Sequence, residues 1–298
     1  MNIILSAVLP VGLIIIIGYI AGQKLNLDQL TLCKLSIYIL APALVADSLY
    51  RNTVSGRSVS LIIISYGLIS LFIYGLIWLF SVFFDIEKND RQSIFAVILC
   101  PNNGNMGLPI TTFALGNEGL DRAIIYMIGS SIFLFGMLPA ILSNKGIKRG
   151  VILTLQLPLI WAMFFGAMLN ISRIQLPFNL GRSMELLGIS AIPIALIILG
   201  MQLAQTKFIF TLREFLLALI KLIVAPTIAL GTGKIIGLEG LDLQVLVLQT
   251  AMPTAINTLV MVKEFGGNAT IVAQTIITST VMSFITLPVV IWLIEYYR

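Results

Sequence analysis

The chain has no histidine. That excludes a Ser-His nucleophile pair, histidine metal ligation and a histidine proton relay, all of which need an imidazole. It has two cysteines, Cys33 and Cys100, each in an apolar stretch and without metal-ligand spacing. They read as small buried hydrophobes rather than a disulfide or zinc framework. Charge is scarce as well: 10% of residues are charged, against about 25% in a soluble domain. The net charge of +5 is scattered along the chain, which argues against a nucleic-acid partner and suits basic loops facing anionic lipid. The loops, such as FDIEKNDR and SNKGIKRG, are too short to hold a soluble domain. No metal, cofactor or catalytic residue is assigned, and no enzymatic activity is expected.

Apolar sequence is what the chain has in abundance. Its 298 residues are 58% hydrophobic, with a mean hydropathy of +1.04. A spanning helix needs about 20 mostly apolar residues. On that scale ten spans are expected: Ile3–Gly22, Leu30–Tyr50, Leu61–Phe84, Gln92–Leu115, Ala123–Leu142, Val151–Asn170, Met184–Leu203, Phe215–Ile236, Leu243–Val262 and Thr270–Ile294. The first lacks the basic flank of a signal peptide and reads as a retained span. The fold class expected is all-α and membrane-embedded.

The prolines reveal a repeat. Pro10 pairs with Pro158, Pro42 with Pro193, Pro101 with Pro253 and Pro139 with Pro288, at shifts between 148 and 152. Gly18 with Gly166, Gly116 with Gly267 and Asn105 with Asn257 follow the same spacing. Residues 1–145 and 146–298 then form two repeats of five spans. Five is odd, so the second repeat enters the membrane from the opposite side, giving a 5+5 inverted repeat of the kind found in secondary transporters. Ten Lys and Arg fall on one side, among them Lys24, Lys88, Lys145, Lys148, Arg149 and Lys207, and seven on the other, including Arg298. The positive-inside rule places both termini on the non-cytoplasmic side.

Pro101 and Pro253 sit near the middle of the fourth and ninth spans. A proline there removes a helix hydrogen bond and clashes with the preceding turn. Unwound backbone at membrane depth needs polar partners, and the stretch CPNNGNMGLPI supplies amides in Asn102, Asn103 and Asn105. Asn257 takes the equivalent place four residues after Pro253. Two broken helices crossing near the midplane make a site for an anion at the half-helix N-termini and for a cation at unwound carbonyls. The candidate substrate-binding residues are Pro101, Asn102, Asn103, Asn105, Pro253, Thr254, Asn257 and Lys221.

PNNGNMGLP in the fourth span and QTAMPTAINTLVMVKEFGG in the ninth resemble the auxin efflux carrier family, which includes plant PIN proteins and bacterial permeases for malonate or malate. The resemblance covers the whole chain. The plant members carry a long cytoplasmic loop between the halves; here it is only SNKGIKRG, which matches the bacterial branch and an inner-membrane location. The resemblance implies a scaffold of spans 1, 2, 6 and 7, a transport domain of spans 3–5 and 8–10, elevator-like movement and a homodimer formed through the scaffold.

Few ionisable groups lie inside spans. Lys221 either holds a carboxylate substrate or is a structural partner, since an isolated charge there costs several kcal/mol. Asp47 is a candidate proton site, a partner of Lys221, or an interfacial residue near Arg51. Lys34 and Glu185 read as boundary charges. Ser130, Ser131, Ser279 and Thr280 are candidates for coupling H⁺ or Na⁺, or they are helix–helix glue. Asp47 has no intramembrane carboxylate partner in the sequence, which argues against an aspartyl protease. The expected function is a secondary carrier of a small organic anion; the alternative is a membrane receptor that binds a similar solute without moving it.

Overall fold

The computed structural model describes residues 2–143, 151–152, 154–205 and 211–297. The loop basics Lys145, Lys148, Arg149 and Lys207, and Arg298, fall outside them. In chain order the helices are α1 (Asn2–Lys24), α2 (Gln29–Leu35), α3 (Ala41–Tyr50), α4 (Gly56–Phe83), α5 (Lys88–Leu99), α6 (Leu108–Ile132) and α7 (Leu138–Ser143). Then follow α8 (Pro158–Ile171), α9 (Leu180–Gln205), α10 (Leu212–Leu219), α11 (Ala225–Ile235), α12 (Gly240–Thr250), α13 (Asn257–Phe265) and α14 (Ala269–Ile294). Among the described residues there is no strand, only an antiparallel bridge between Pro101 and Thr254.

Among the described residues, six helical stretches are long and apolar enough to cross a membrane: Gln29–Tyr50, Gly56–Phe83, Asn103–Met137, Leu180–Gln205, Leu212–Ile235 and Ala269–Tyr297. Val8–Lys24 and Pro158–Ile171 are shorter apolar helices. The remaining difference from ten expected spans lies at the fourth and ninth, which are interrupted. Helix α5 ends at Leu99 and helical structure resumes at Asn103; α12 ends at Thr250 and α13 starts at Asn257. The long stretch Asn103–Met137 is itself broken at Gly116, whose φ of 70° and ψ of −168° no helix accommodates.

Four π-helical segments share one cause. Ser36–Leu40, Asn103–Gly107, Phe133–Met137 and Ile220–Val224 each stand two residues before a proline, at Pro42, Pro109, Pro139 and Pro226. A proline ring collides with the carbonyl four residues back. That residue, Tyr38, Asn105, Phe135 or Leu222, lies at the centre of the π segment in every case. The wider i→i+5 turn draws the carbonyl aside and lets the helix continue. Pro10, Pro193 and Pro288 are instead held inside α-helices.

The chain forms two compact units that do not coincide with its two halves. The first comprises Met1–Ser55, Gly104–Ile124 and Thr154–Thr206. In it α1 packs against α9 and α3 against α8. These contacts depend on glycine: a Cβ on Gly18 would strike the carbonyl of Ile197, and one on Gly200 the carbonyl of Ile15. Backbones this close gain dispersion contact that lipid cannot supply. Asp28 caps α2 by accepting from the Leu30 and Thr31 amides (3.2 and 3.3 Å). The Thr31 hydroxyl also donates to it, which holds its carboxyl below the usual range.

The second unit comprises Gly56–Asn103, Ile125–Leu153 and Lys207–Arg298. Helix α14 is its spine and packs against α10, α5, α12 and α13. The end of α5 and both ends of the break between α12 and α13 lie in this unit, whereas the fourth span continues from Gly104 in the first.

Candidate functional site

The geometry of the crossing follows from asking where each stranded backbone group goes, because a buried unpaired one is costly. In a continuous helix the Val97 carbonyl would accept from the amide of residue 101. That residue is proline and has no N–H. The Thr254 hydroxyl takes its place, donating to Val97 O at 2.7 Å. The carbonyl of Leu99, the last residue of α5, accepts from the Tyr66 hydroxyl at 3.1 Å. The Cys100 carbonyl accepts from the Ala255 amide (2.8 Å), the Asn102 amide donates to Pro253 O (2.7 Å), and the Asn103 amide turns back to Pro101 O (2.9 Å).

The other break is held in the same manner. The carbonyl of Thr250, the last residue of α12, accepts from Lys221 Nζ at 3.2 Å. The Thr254 amide donates to Ser279 Oγ at 3.2 Å. The Thr250 hydroxyl meets the Tyr126 hydroxyl at 2.8 Å. Each interrupted helix therefore ends on a carbonyl capped by a long buried side chain, Tyr66 in one case and Lys221 in the other. An ammonium suits the negative end of a helix dipole.

The serines brace the two breaks alike. Ser130 Oγ donates to Met127 O (2.9 Å) and accepts from Asn103 Nδ2 (2.8 Å). Ser279 Oγ donates to Ile276 O (3.1 Å) and accepts from the Thr254 amide. Because the Ser130 proton is committed to Met127, the Asn103 side chain must present its NH₂ to Ser130. Its Oδ1 is then left over. Asn103 is 2% exposed and Asn102 4%, yet Asn103 Oδ1 and Asn102 Nδ2 are buried without a hydrogen-bond partner. One orphan acceptor and one orphan donor thus sit on adjacent residues of the unwound strand. Leaving each unsatisfied costs about 1–3 kcal/mol.

A family model described as "Membrane transport protein" matches residues 3–152 and 147–291. The chain belongs to this family, that of the auxin efflux carriers. It is a membrane transporter. The transporter is 29% identical over 298 residues to an uncharacterized transporter of Methanothermobacter thermautotrophicus, an alignment covering 95% of this chain and 96% of that protein. It is 25% identical over 307 residues to an uncharacterized transporter of Methanocaldococcus jannaschii, with 97% and 98% covered.

The remaining sequence candidates distribute as follows in the transporter. Asn105 is half-buried inside the π segment Asn103–Gly107, in the stretch that clusters with the first unit. Asn257 is the first residue of α13, also half-buried. The free amides expected at that helix start are partly used: Thr258 N and Leu259 N donate to Ala255 O and Ile256 O. Ser131 is half-buried. Asp47, in the first unit, accepts from Arg51 Nε at 2.9 Å, and Arg51 also reaches Glu185 at 3.1 Å. The hydrogen bond to Asp47 raises the Arg51 pKa.

Sequence reading missed Tyr66, Tyr126 and Thr250, which look like ordinary aromatic and hydroxyl residues of apolar helices. It also missed Glu214. That residue is 1% exposed and pairs with Arg213 at 3.0 Å, which reaches Asp90 at 3.3 Å. Asp90 in turn accepts from Asn268 Nδ2 at 3.0 Å. This network ties α10, α5 and the start of α14 together within the second unit. The only sequence signal for it is adjacent opposite charge in LREF.

Proposed function

We propose that the chain is a secondary carrier of a small organic anion, bound where the interrupted fourth and ninth spans cross. The observation that carries the proposal is the orphan pair at Asn102 and Asn103. Buried amide atoms without partners are costly unless something binds them, and a protonated carboxyl offers a matching acceptor and donor, one that a singly ionised dicarboxylic acid keeps while remaining an anion. The nearby Lys221 ammonium supplies positive charge, which favours an anion over a neutral amide. Small organic acids of the malonate type have this chemistry.

The ten-span, five-plus-five reading is supported by contacts that exchange between equivalent positions. Gly18 packs on the carbonyl of Ile197, and Gly166 on that of Ala46; each partner of one pair is the repeat equivalent of a member of the other. Gly116 and Gly267, another repeat pair, both have positive φ, 70° and 115°. A scaffold of spans 1, 2, 6 and 7 and a transport domain of spans 3–5 and 8–10 agrees with the two compact units except at Gly104–Ile124, which clusters with the first. In this reading the second unit moves as an elevator and the scaffold pairs in a homodimer. The protein sits in the cytoplasmic membrane with both termini outside, and H⁺ or Na⁺ is the coupling ion if one is used.

A thermal-shift screen of organic acids on purified protein tests the site, and uptake into proteoliposomes tests the transport. A ligand at 100 times its Kd adds about 2.7 kcal/mol of stability. Binding must disappear in Asn102→Leu. A hit that stabilises Asn102→Leu as much as the native chain places the site elsewhere, and binding without flux leaves a receptor.

A further inference from the structure

Away from the crossing, the second unit has an apolar groove between the span containing Lys221 and the C-terminal helix. Leu222 and Pro226 form one side, Val247 the floor, and Ile285, Val290 and Leu293 the other side. Its volume is about 300 Å³. The groove ends at Tyr297, in the short 3₁₀ turn after α14. Above that ring stands Lys234, from the last turn of α11, with Nζ 4.4 Å from the ring centroid. An apolar slot thus closes on a cation held over an aromatic ring.

The length of the groove and its charged end select the occupant. Ile285 to Tyr297 is about 18 Å along a helix, close to the roughly 15 Å of hydrocarbon in one leaflet. Aromatic rings and lysines at helix ends mark the headgroup level of a bilayer, and a lysine there attracts anionic headgroups.

We propose that this groove is a binding site for an anionic phospholipid, with one acyl chain in the slot and the phosphate-bearing headgroup at Lys234. The site is separate from the crossing and independent of the transport reading. It makes the lipid a resident of the helix pair that carries Lys221.

Native mass spectrometry of delipidated protein, titrated with phosphatidylglycerol or phosphatidylcholine of the same chains, tests it. The expected result is about fivefold tighter binding of phosphatidylglycerol, the ratio that roughly 1 kcal/mol per basic residue gives. Lys234→Gln should reduce phosphatidylglycerol to the phosphatidylcholine level. Val289→Phe, which narrows the slot, should weaken both lipids and keep their ratio; Leu293→Trp is the second slot-filling variant if Val289→Phe fails to fold. Size-exclusion and melting of the unliganded variants confirm that they are folded. Equal affinity of the native chain for both lipids, preference retained by Lys234→Gln, or unchanged binding in both slot-filling variants each overturn the proposal. So does self-association lost on filling the slot while lipid binding persists.

Discussion

Thr254→Val removes one hydroxyl and keeps the side chain's shape. The residue is fully buried, at 0% exposure, so no water takes the hydroxyl's place. What is left behind is the carbonyl of Val97, whose helical donor does not exist because residue 101 is proline. An unsatisfied buried acceptor costs about 1–3 kcal/mol. For a chain of this size, 1 kcal/mol moves the melting point by about 2–4 °C, so Thr254→Val should melt about 4–8 °C lower for a mid-range loss of 2 kcal/mol. Thr254→Ser keeps the hydroxyl and loses one methyl, so it should lie nearer the native value. Melting in detergent, followed by tryptophan fluorescence, measures both. If Thr254→Val melts with the native protein while Thr254→Ser does not, the Thr254–Val97 bond is not what closes the fourth span, and the hydrogen bonding assigned to the crossing is wrong.

Lys221→Met should lower the melting point more than Lys221→Gln, because glutamine retains an N–H for the Thr250 carbonyl; equal melting of the two by the same assay removes the capping role. Asn105→Leu and Asn257→Leu should abolish proteoliposome uptake while the protein still inserts and purifies, and full uptake by both places the substrate away from the crossing. Gly200→Val should prevent recovery of monodisperse protein on size-exclusion, since its side chain meets the backbone of α1; normal recovery contradicts the close α1–α9 contact. A reporter after Arg298 should be external and one near Lys145 internal, and finding both on one side removes the inverted repeat.

The two breaks were legible because proline is a local, categorical signal: it removes an N–H wherever it stands. Their neighbours were legible for the same reason, since asparagines in an apolar run have little to do except bond something. What the sequence did not reveal is who caps whom. Tyr66 lies 33 residues before Leu99, and Lys221 lies 29 before Thr250; no periodicity connects them. Lys221 was recognisable as an expensive charge, but its partner is a main-chain carbonyl, and main-chain carbonyls carry no letter. The fourth and ninth expected spans became interrupted helices for a related reason. Hydropathy averages over breaks of three residues (100–102) and six (251–256) and cannot see them, whereas hydrogen bonding can. The π segments were invisible as such, although every one stands before a proline already in view.

Those π segments carry a consequence for register. An i→i+5 turn holds one residue more than an α turn, so each segment is a stored single-residue insertion. Removing one residue from Ile220–Val224 would return the segment to α register and bring the Pro226 ring back against the carbonyl four residues before it. Everything on one side of the deletion would swing by about 100° relative to the other. Lys221, which donates to the Thr250 carbonyl, would then lose its present direction relative to the helix beyond the deletion. Length in this span is thus as restrictive as composition: the chain tolerates many apolar letters there, but only one count of them.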